Sequence, residues 1–217
     1  MDQVLEKEKS LPFLTSIESI GNLLRDYYDF NKGAIQDATD NEHYNDISRI
    51  IIEKSGLFNG ISDNLILEPL EEKKIKINYL SPGSSIIKEG SYNCDSIFLL
   101  LCGELDIYKE GVKLTTINQM CVVGEMAYLN PKIKRSATVK TPNGAYILML
   151  TRDFIDSLGE KHSEIIKQNL YNFITEKLIK TNETLAADKD NNNNQEDDIF
   201  ISSIKNAVAN ICVLDSL

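Results

Sequence analysis

Tryptophan is absent, and the two histidines, His43 and His162, are far apart in the chain. The four cysteines, Cys94, Cys102, Cys121 and Cys212, form no C-x-x-C pair. Structural zinc sites draw on closely spaced Cys and His ligands, so no metal centre is expected here. Free thiols in a reducing cytoplasm fit this usage better. Positive charge is scarce as well: Lys and Arg total 23 against 33 for Asp and Glu, a formal net charge of -10. Nonspecific nucleic-acid binding needs clustered cations that release counterions, so DNA and RNA are not expected partners. Long apolar runs are missing too. The longest, such as Ile97–Cys102, have the length of a strand and not of a membrane span. Met1–Ser10 is rich in Glu and Lys and lacks the apolar stretch of a signal peptide. A cytoplasmic location with no membrane partner is therefore expected.

What is present has a clear order. Leu14, Ile17, Ile20, Leu23 and Leu24 recur at helical spacing. A helix is expected again from Asp46, as N-cap, to Ile52. Ser62 and Asp63 can cap a short helix running to about Leu70. From Lys74 to Leu150 the pattern changes to strands. Seven short runs read so: Ile75–Leu80, Ile86–Lys88, Ile97–Leu101, Leu105–Tyr108, Lys113–Ile117, Ala137–Lys140 and Ala145–Leu150. Turn residues separate them, including Ser81-Pro82-Gly83, Glu89-Gly90, Glu110-Gly111 and Pro142-Asn143-Gly144. About eight strands at this spacing imply a mainly β fold with flanking helices, an antiparallel barrel or jelly roll. Thr151 or Asp153 can cap a helix through Leu158, and a longer helix follows from about Ser163 to Ala187. The expected organisation is a helical N-terminal extension (1–54), the β-roll with its long helix (55–187), a polar linker (188–198) and a short C-terminal helix (199–217). The linker contains Asn191-Asn192-Asn193-Asn194 and has no means of building a core.

One stretch carries chemistry. It runs Val123-Gly124-Glu125-Met126-Ala127, through a short apolar turn and a loop, to Arg135-Ser136-Ala137-Thr138-Val139. Gly124 lets the backbone approach a ligand closely. The first turn of a short helix leaves N–H groups directed at an anion. Arg135 offers a planar fork of donors to a phosphate. Glu125, when ionised, accepts hydrogen bonds and suits a ligand hydroxyl. A phosphate and a hydroxyl on one edge of a sugar would satisfy all of these groups, and a cyclic nucleotide has that arrangement.

On these residues the sequence resembles the cyclic nucleotide-binding domain family. That family's phosphate-binding cassette reads roughly G-E-[LM]-[AG], then R-[SAT]-A. Here Glu125 and Arg135 lie ten positions apart, which is similar to the bacterial catabolite-activator branch. Gly56-Leu57-Phe58, Ser81-Pro82-Gly83, Glu89-Gly90 and Gly103-Glu104-Leu105 resemble other family features in order, and the likeness covers about Asp46 to Ala187. The resemblance implies that Glu125 receives the ribose 2′-hydroxyl and Arg135 the cyclic phosphate. It implies that Ser136, Ala137 and backbone amides of Val123–Ala127 complete the cradle. cAMP is the expected ligand and cGMP the alternative. Neither an enzyme nor a metal is implied.

The family's long helix often dimerises. Tyr171, Ile174, Leu178, Thr181 and Leu185 alternate in steps of three and four, the spacing of a coiled-coil seam. A homodimer through the 163–187 helix is therefore expected, with Ile166, Leu170 and Phe173 facing their own barrel. In the catabolite-activator branch a Thr-Ser pair on this helix reaches the adenine. Thr181 matches the Thr, and Asn182 replaces the Ser, so both are candidate base contacts. About 30 residues follow Ala187, and no helix-turn-helix domain is expected among them. The expected role is thus a sensor that signals through helix rearrangement and an unidentified protein partner. The competing expectation is an adaptor dimer that keeps the fold and binds no nucleotide.

Overall fold

The computed structural model describes residues 42–71, 74–118 and 120–189. The helix expected around Leu14–Leu24 and the tail segment Ile199–Val213 lie outside these residues. The described residues fall into two units that divide between Leu170 and Tyr171.

The first unit opens with helix α1 (Glu42–Ser55) and helix α2 (Asn64–Glu71). Asp46 lies inside α1 and does not cap it. No Gly or Pro interrupts residues 42–45, so the helix extends upstream of the expected start. The expected start of α2 is found: Leu65 N–H donates to the Ser62 carbonyl, and Leu67 N–H to that of Asp63.

Eight strands follow, all paired antiparallel. They are β1 (Lys76–Leu80), β2 (Ser85–Ile87), β3 (Ser96–Gly103), β4 (Leu105–Lys109), β5 (Val112–Ile117), β6 (Cys121–Val123), β7 (Thr138–Lys140) and β8 (Ala145–Thr151). One sheet has the order β1-β8-β3-β6, and the other β2-β7-β4-β5. This is the expected antiparallel jelly roll with flanking helices. Only β6 was not singled out as a run. Three residues joined directly to a glycine give too short a pattern to read.

The two sheets enclose one core of Ile87, Phe98, Leu100, Leu105, Val123, Val139, Ala145 and Ile147. Alternate residues of a strand point to opposite faces. Phe98 and Leu100 enter this core, while Ile97, Leu99 and Leu101 on the other face are fully buried as well. Strand β3 is therefore covered on both sides, which explains its unbroken apolar run. Helix α3 (Glu125–Leu129) packs against β3, and helix α4 (Arg152–Ser157) packs against β8. Thr151 caps α4, its hydroxyl accepting from Phe154 N–H at 3.2 Å.

Helix α5 spans Glu160–Lys189. Within the first unit its Ser163, Ile166 and Leu170 are buried. Its Asn169 side-chain amide donates to the carbonyls of Leu57 (2.9 Å) and Asn59 (3.0 Å), tying it to the turn after α1. In the second unit Ile174 is buried and Ile179 is exposed.

In the sheet β2-β7-β4-β5 the carboxylate of Asp106, on β4, is buried. It pairs with Lys113 at 2.8 Å and accepts from the Thr116 hydroxyl at 2.7 Å. Lys113 first, then Thr116, holds the Asp106 carboxyl below its ordinary range. The unfolded chain then takes up this proton at a higher pH than the folded one. The stabilisation is present above the unfolded value, about 4, and is lost as pH falls through the lower folded value. Asp106→Asn should therefore be less stable than wild type at neutral pH, with the gap narrowing toward acid. Thermal unfolding from pH 7 to pH 3 measures this, and a constant gap would show that Asp106 is not the titrating group.

Candidate functional site

The expected cassette lies between β6 and β7. Val123 ends β6 and is buried. Gly124 follows with φ 88° and ψ 6°, the left-handed region that glycine enters without steric penalty. That turn redirects the chain from the strand straight into α3. Glu125, the first residue of α3, is buried, as is Ala127, while Met126 is half-buried.

Arg135 comes back to this turn from the far end of the insert. It is only 4% exposed, which is unusual for a guanidinium. Its Nη1 donates to the Gly124 carbonyl at 2.6 Å, its Nε to that of Asn93 at 2.7 Å and its Nη2 to that of Ser96 at 2.7 Å. All three acceptors are neutral backbone carbonyls. Among the described residues these bonds use three of the five N–H groups, leaving one on each terminal nitrogen. Burial pulls the Arg135 pKa below its ordinary value, while the nearby carboxylates of Glu125 and Asp95 act in the opposite direction. Glu125 is thus close enough to act electrically on Arg135. The carboxylate and the cation of the cassette are both buried, and Arg135 bonds the carbonyl of Gly124, the residue before Glu125.

The main chain of Arg135 is fixed too. Its N–H donates to the Ser91 carbonyl at 2.9 Å, and its carbonyl accepts from Gly90 N–H at 2.8 Å. The Glu89-Gly90 turn read in the sequence is therefore the seat of Arg135. Ser136 is exposed, and Ala137 is half-buried.

The far side of α3 is held by Arg152. Its Nη2 donates to the Tyr128 carbonyl at 2.7 Å, and its guanidinium lies 4.3 Å from the centre of the Tyr128 ring. Burial, above all, pushes the Tyr128 hydroxyl up to about 12.

Thr181 and Asn182 belong to the second unit. The Thr181 hydroxyl donates to the Lys177 carbonyl one turn back, at 2.7 Å. The Asn182 side chain lies outside the described atoms. Sequence reasoning missed Asn93 and Ser96, and no signal could have found them. They act through carbonyl oxygens, which every residue type has.

Residues 77–162 match the family model of the cyclic nucleotide-binding domain. That segment is a domain of this family. It contains Gly124, Glu125, Arg135 and both sheets. The Pycsar effector protein RsmPycTIR of Rhodovulum sp. (strain MB263) is 30% identical over 89 residues, 40% of this chain and 32% of that protein. The match thus spans about a third of that relative's length. The Thermus thermophilus catabolite activator protein is similar in structure at 19% identity, covering 61% of this chain and 62% of that one, with TM-score 0.49. The regulatory domain of Toxoplasma gondii PKA, solved with cAMP, is similar at 21% identity, covering 56% and 46%, with TM-score 0.46. Among the described residues no helix is long and apolar enough to cross a membrane.

Proposed function

We propose that the domain binds a cyclic nucleotide, with cAMP preferred over cGMP, and acts as a regulatory sensor. One observation carries this reading. A buried guanidinium donates to the carbonyl of a left-handed glycine, next in the chain to a buried carboxylate, within the segment that matches the cyclic nucleotide-binding domain. Burying a cation is unfavourable unless its charge is compensated. Three carbonyls supply part of that compensation, and the N–H left on each terminal nitrogen suits two oxygens of one phosphate. Glu125 accepts the ribose 2′-hydroxyl in this reading. Ser136, Ala137 and the backbone of Val123–Ala127 form the rest of the contact. The ten-residue spacing from Glu125 to Arg135 favours the catabolite-activator type of cassette.

Binding would leave its mark on the helices that follow the roll, and a homodimer or protein partner would read it out. The Rhodovulum relative is named an effector, which fits an output carried outside the binding domain.

Calorimetric titration with cAMP, cGMP, cCMP and cUMP tests the reading. Saturable binding of cAMP is expected, with 2′-deoxy-cAMP weaker by about tenfold for the lost hydrogen bond to a carboxylate. A protein that takes up none of the four cyclic nucleotides is the adaptor alternative.

A further inference from the structure

The tip of the β4–β5 hairpin reaches over to the Arg135 arm. Lys109, the last residue of β4, donates from Nζ to the Ser136 carbonyl at 3.0 Å and to Glu89 Oε1 at 2.7 Å. The second oxygen of Glu89 accepts from Glu110 N–H at 2.8 Å. Glu89 also donates its own N–H to the Thr138 hydroxyl at 3.0 Å. Residues 89, 109, 110, 136 and 138 therefore form one bonded cluster. It flanks Arg135 on the chain immediately after it.

Glu110 has φ 51° and is the one non-glycine residue with positive φ among the described residues. Glu110 and Gly111 (φ 83°) form the two-residue tip between Lys109 and Val112, and a tight hairpin turn of this kind has positive φ at both positions. The turn leaves the Glu110 N–H bonded to Glu89. Lys109 first, and Glu110 N–H after it, holds the Glu89 carboxyl below its ordinary range, as a carboxylate with fixed donors should be.

We propose that Lys109 and Glu89 are positioning residues that aim the peptide after Arg135 at the ligand phosphate. The inference rests on the cyclic nucleotide reading and names residues outside the cassette motif. Its physical basis is the planarity of the peptide bond. In a trans peptide the Ser136 carbonyl and the Ala137 N–H point in opposite directions. Lys109 holds the carbonyl toward the hairpin. The Ala137 N–H is thereby turned away from the hairpin and kept in one orientation. Ser136 itself is exposed, so burial of its side chain does not anchor this peptide. Without Lys109 the plane loses the one bond to its carbonyl among the described residues, and ordering it becomes an added entropic requirement of binding.

The test is titration of the intact chain with cAMP for wild type, Lys109→Met, Glu89→Gln and Lys109→Arg. Thermal unfolding of each unliganded protein runs alongside. Lys109 is about one third exposed, and the methionine keeps its apolar stem, so the variant should fold. Lys109→Met should weaken cAMP binding by about tenfold, and Glu89→Gln by a smaller factor. Lys109→Arg should restore affinity to within about twofold, because a guanidinium can donate to both acceptors. Weak binding of adenosine, followed by NMR shift titration, should be unchanged, since adenosine has no phosphate to be aimed at. Equal losses for adenosine and cAMP would mean a general disturbance and overturn the proposal. So would unchanged cAMP affinity in Lys109→Met beside a wild type that binds, which leaves the cyclic nucleotide reading standing. A wild type that binds no cyclic nucleotide removes both.

Discussion

Arg135→Ala should weaken cAMP binding by roughly 30- to 1000-fold, the equivalent of about 2–4 kcal/mol for a lost charge-assisted phosphate contact. Stability should fall as well. Arg135 supplies the donors to the carbonyls of Asn93, Gly124 and Ser96, and those bonds hold the loop before β3 against the turn before α3. Losing them together should lower the melting temperature by roughly 5–10 °C. Titration must therefore be run well below the variant's unfolding transition, with circular dichroism confirming the fold. Arg135→Lys separates the two effects. Lysine keeps the charge but not the planar fork, so it should recover part of the affinity and little of the loop anchoring. A folded Arg135→Ala protein with wild-type affinity would place the ligand elsewhere and remove the proposed function.

The second large effect is expected at Gly124. A Cβ there would lie 2.6 Å from Arg135 Nη1 and 3.0 Å from Ile87 Cδ1. Arg135 cannot retreat easily, because its nitrogens are bonded on three sides. The backbone at φ 88° adds strain for any residue with a side chain. Gly124→Ala should thus push the guanidinium out of place and reduce cAMP affinity by about 10- to 100-fold. Gly83→Ala is the matched control. Its φ is 80°, yet nothing lies within 4 Å of the added Cβ. Both variants carry the backbone strain, and only one meets Arg135. Differential scanning calorimetry and cAMP titration of the pair measure the difference. Equal stability losses with intact binding in Gly124→Ala would show that the close approach to Arg135 has no bearing on the ligand.

Much of the fold was legible because its signals are local. The strand runs were read from alternation and from turn pairs such as Glu110-Gly111, and seven of them are strands in the structure. Strand β6 escaped because a pattern needs more than three residues. The start of α1 was misplaced because Asp46 is a good cap by type, while nothing upstream forces the helix to begin there. Of the two caps offered for α4, Thr151 and Asp153, the structure uses Thr151, whose side chain bonds a neighbour three residues on.

The cassette shows the same division. Gly124, Glu125 and Arg135 were read as residue types at a characteristic spacing, and in the structure Arg135 bonds the Gly124 carbonyl. Their environment was not legible. That Arg135 would be buried, and that Asn93 and Ser96 would hold it, depends on strands far apart in sequence. Lys109 is an unremarkable surface lysine in the sequence. It acquires meaning only because the β4–β5 hairpin folds over the chain after Arg135.

The order of residues alone determined the class of fold, the position of the cassette and the charge that disfavours nucleic acid. These depend on periodicity, composition and short spacings, which exist before the chain folds. Tertiary structure alone decided how the arginine is seated, which carbonyls accept from it and which lysine holds the next peptide. Hydrogen bonds to main-chain atoms depend on where the backbone passes and not on which side chain it bears, so no pattern of letters could announce them.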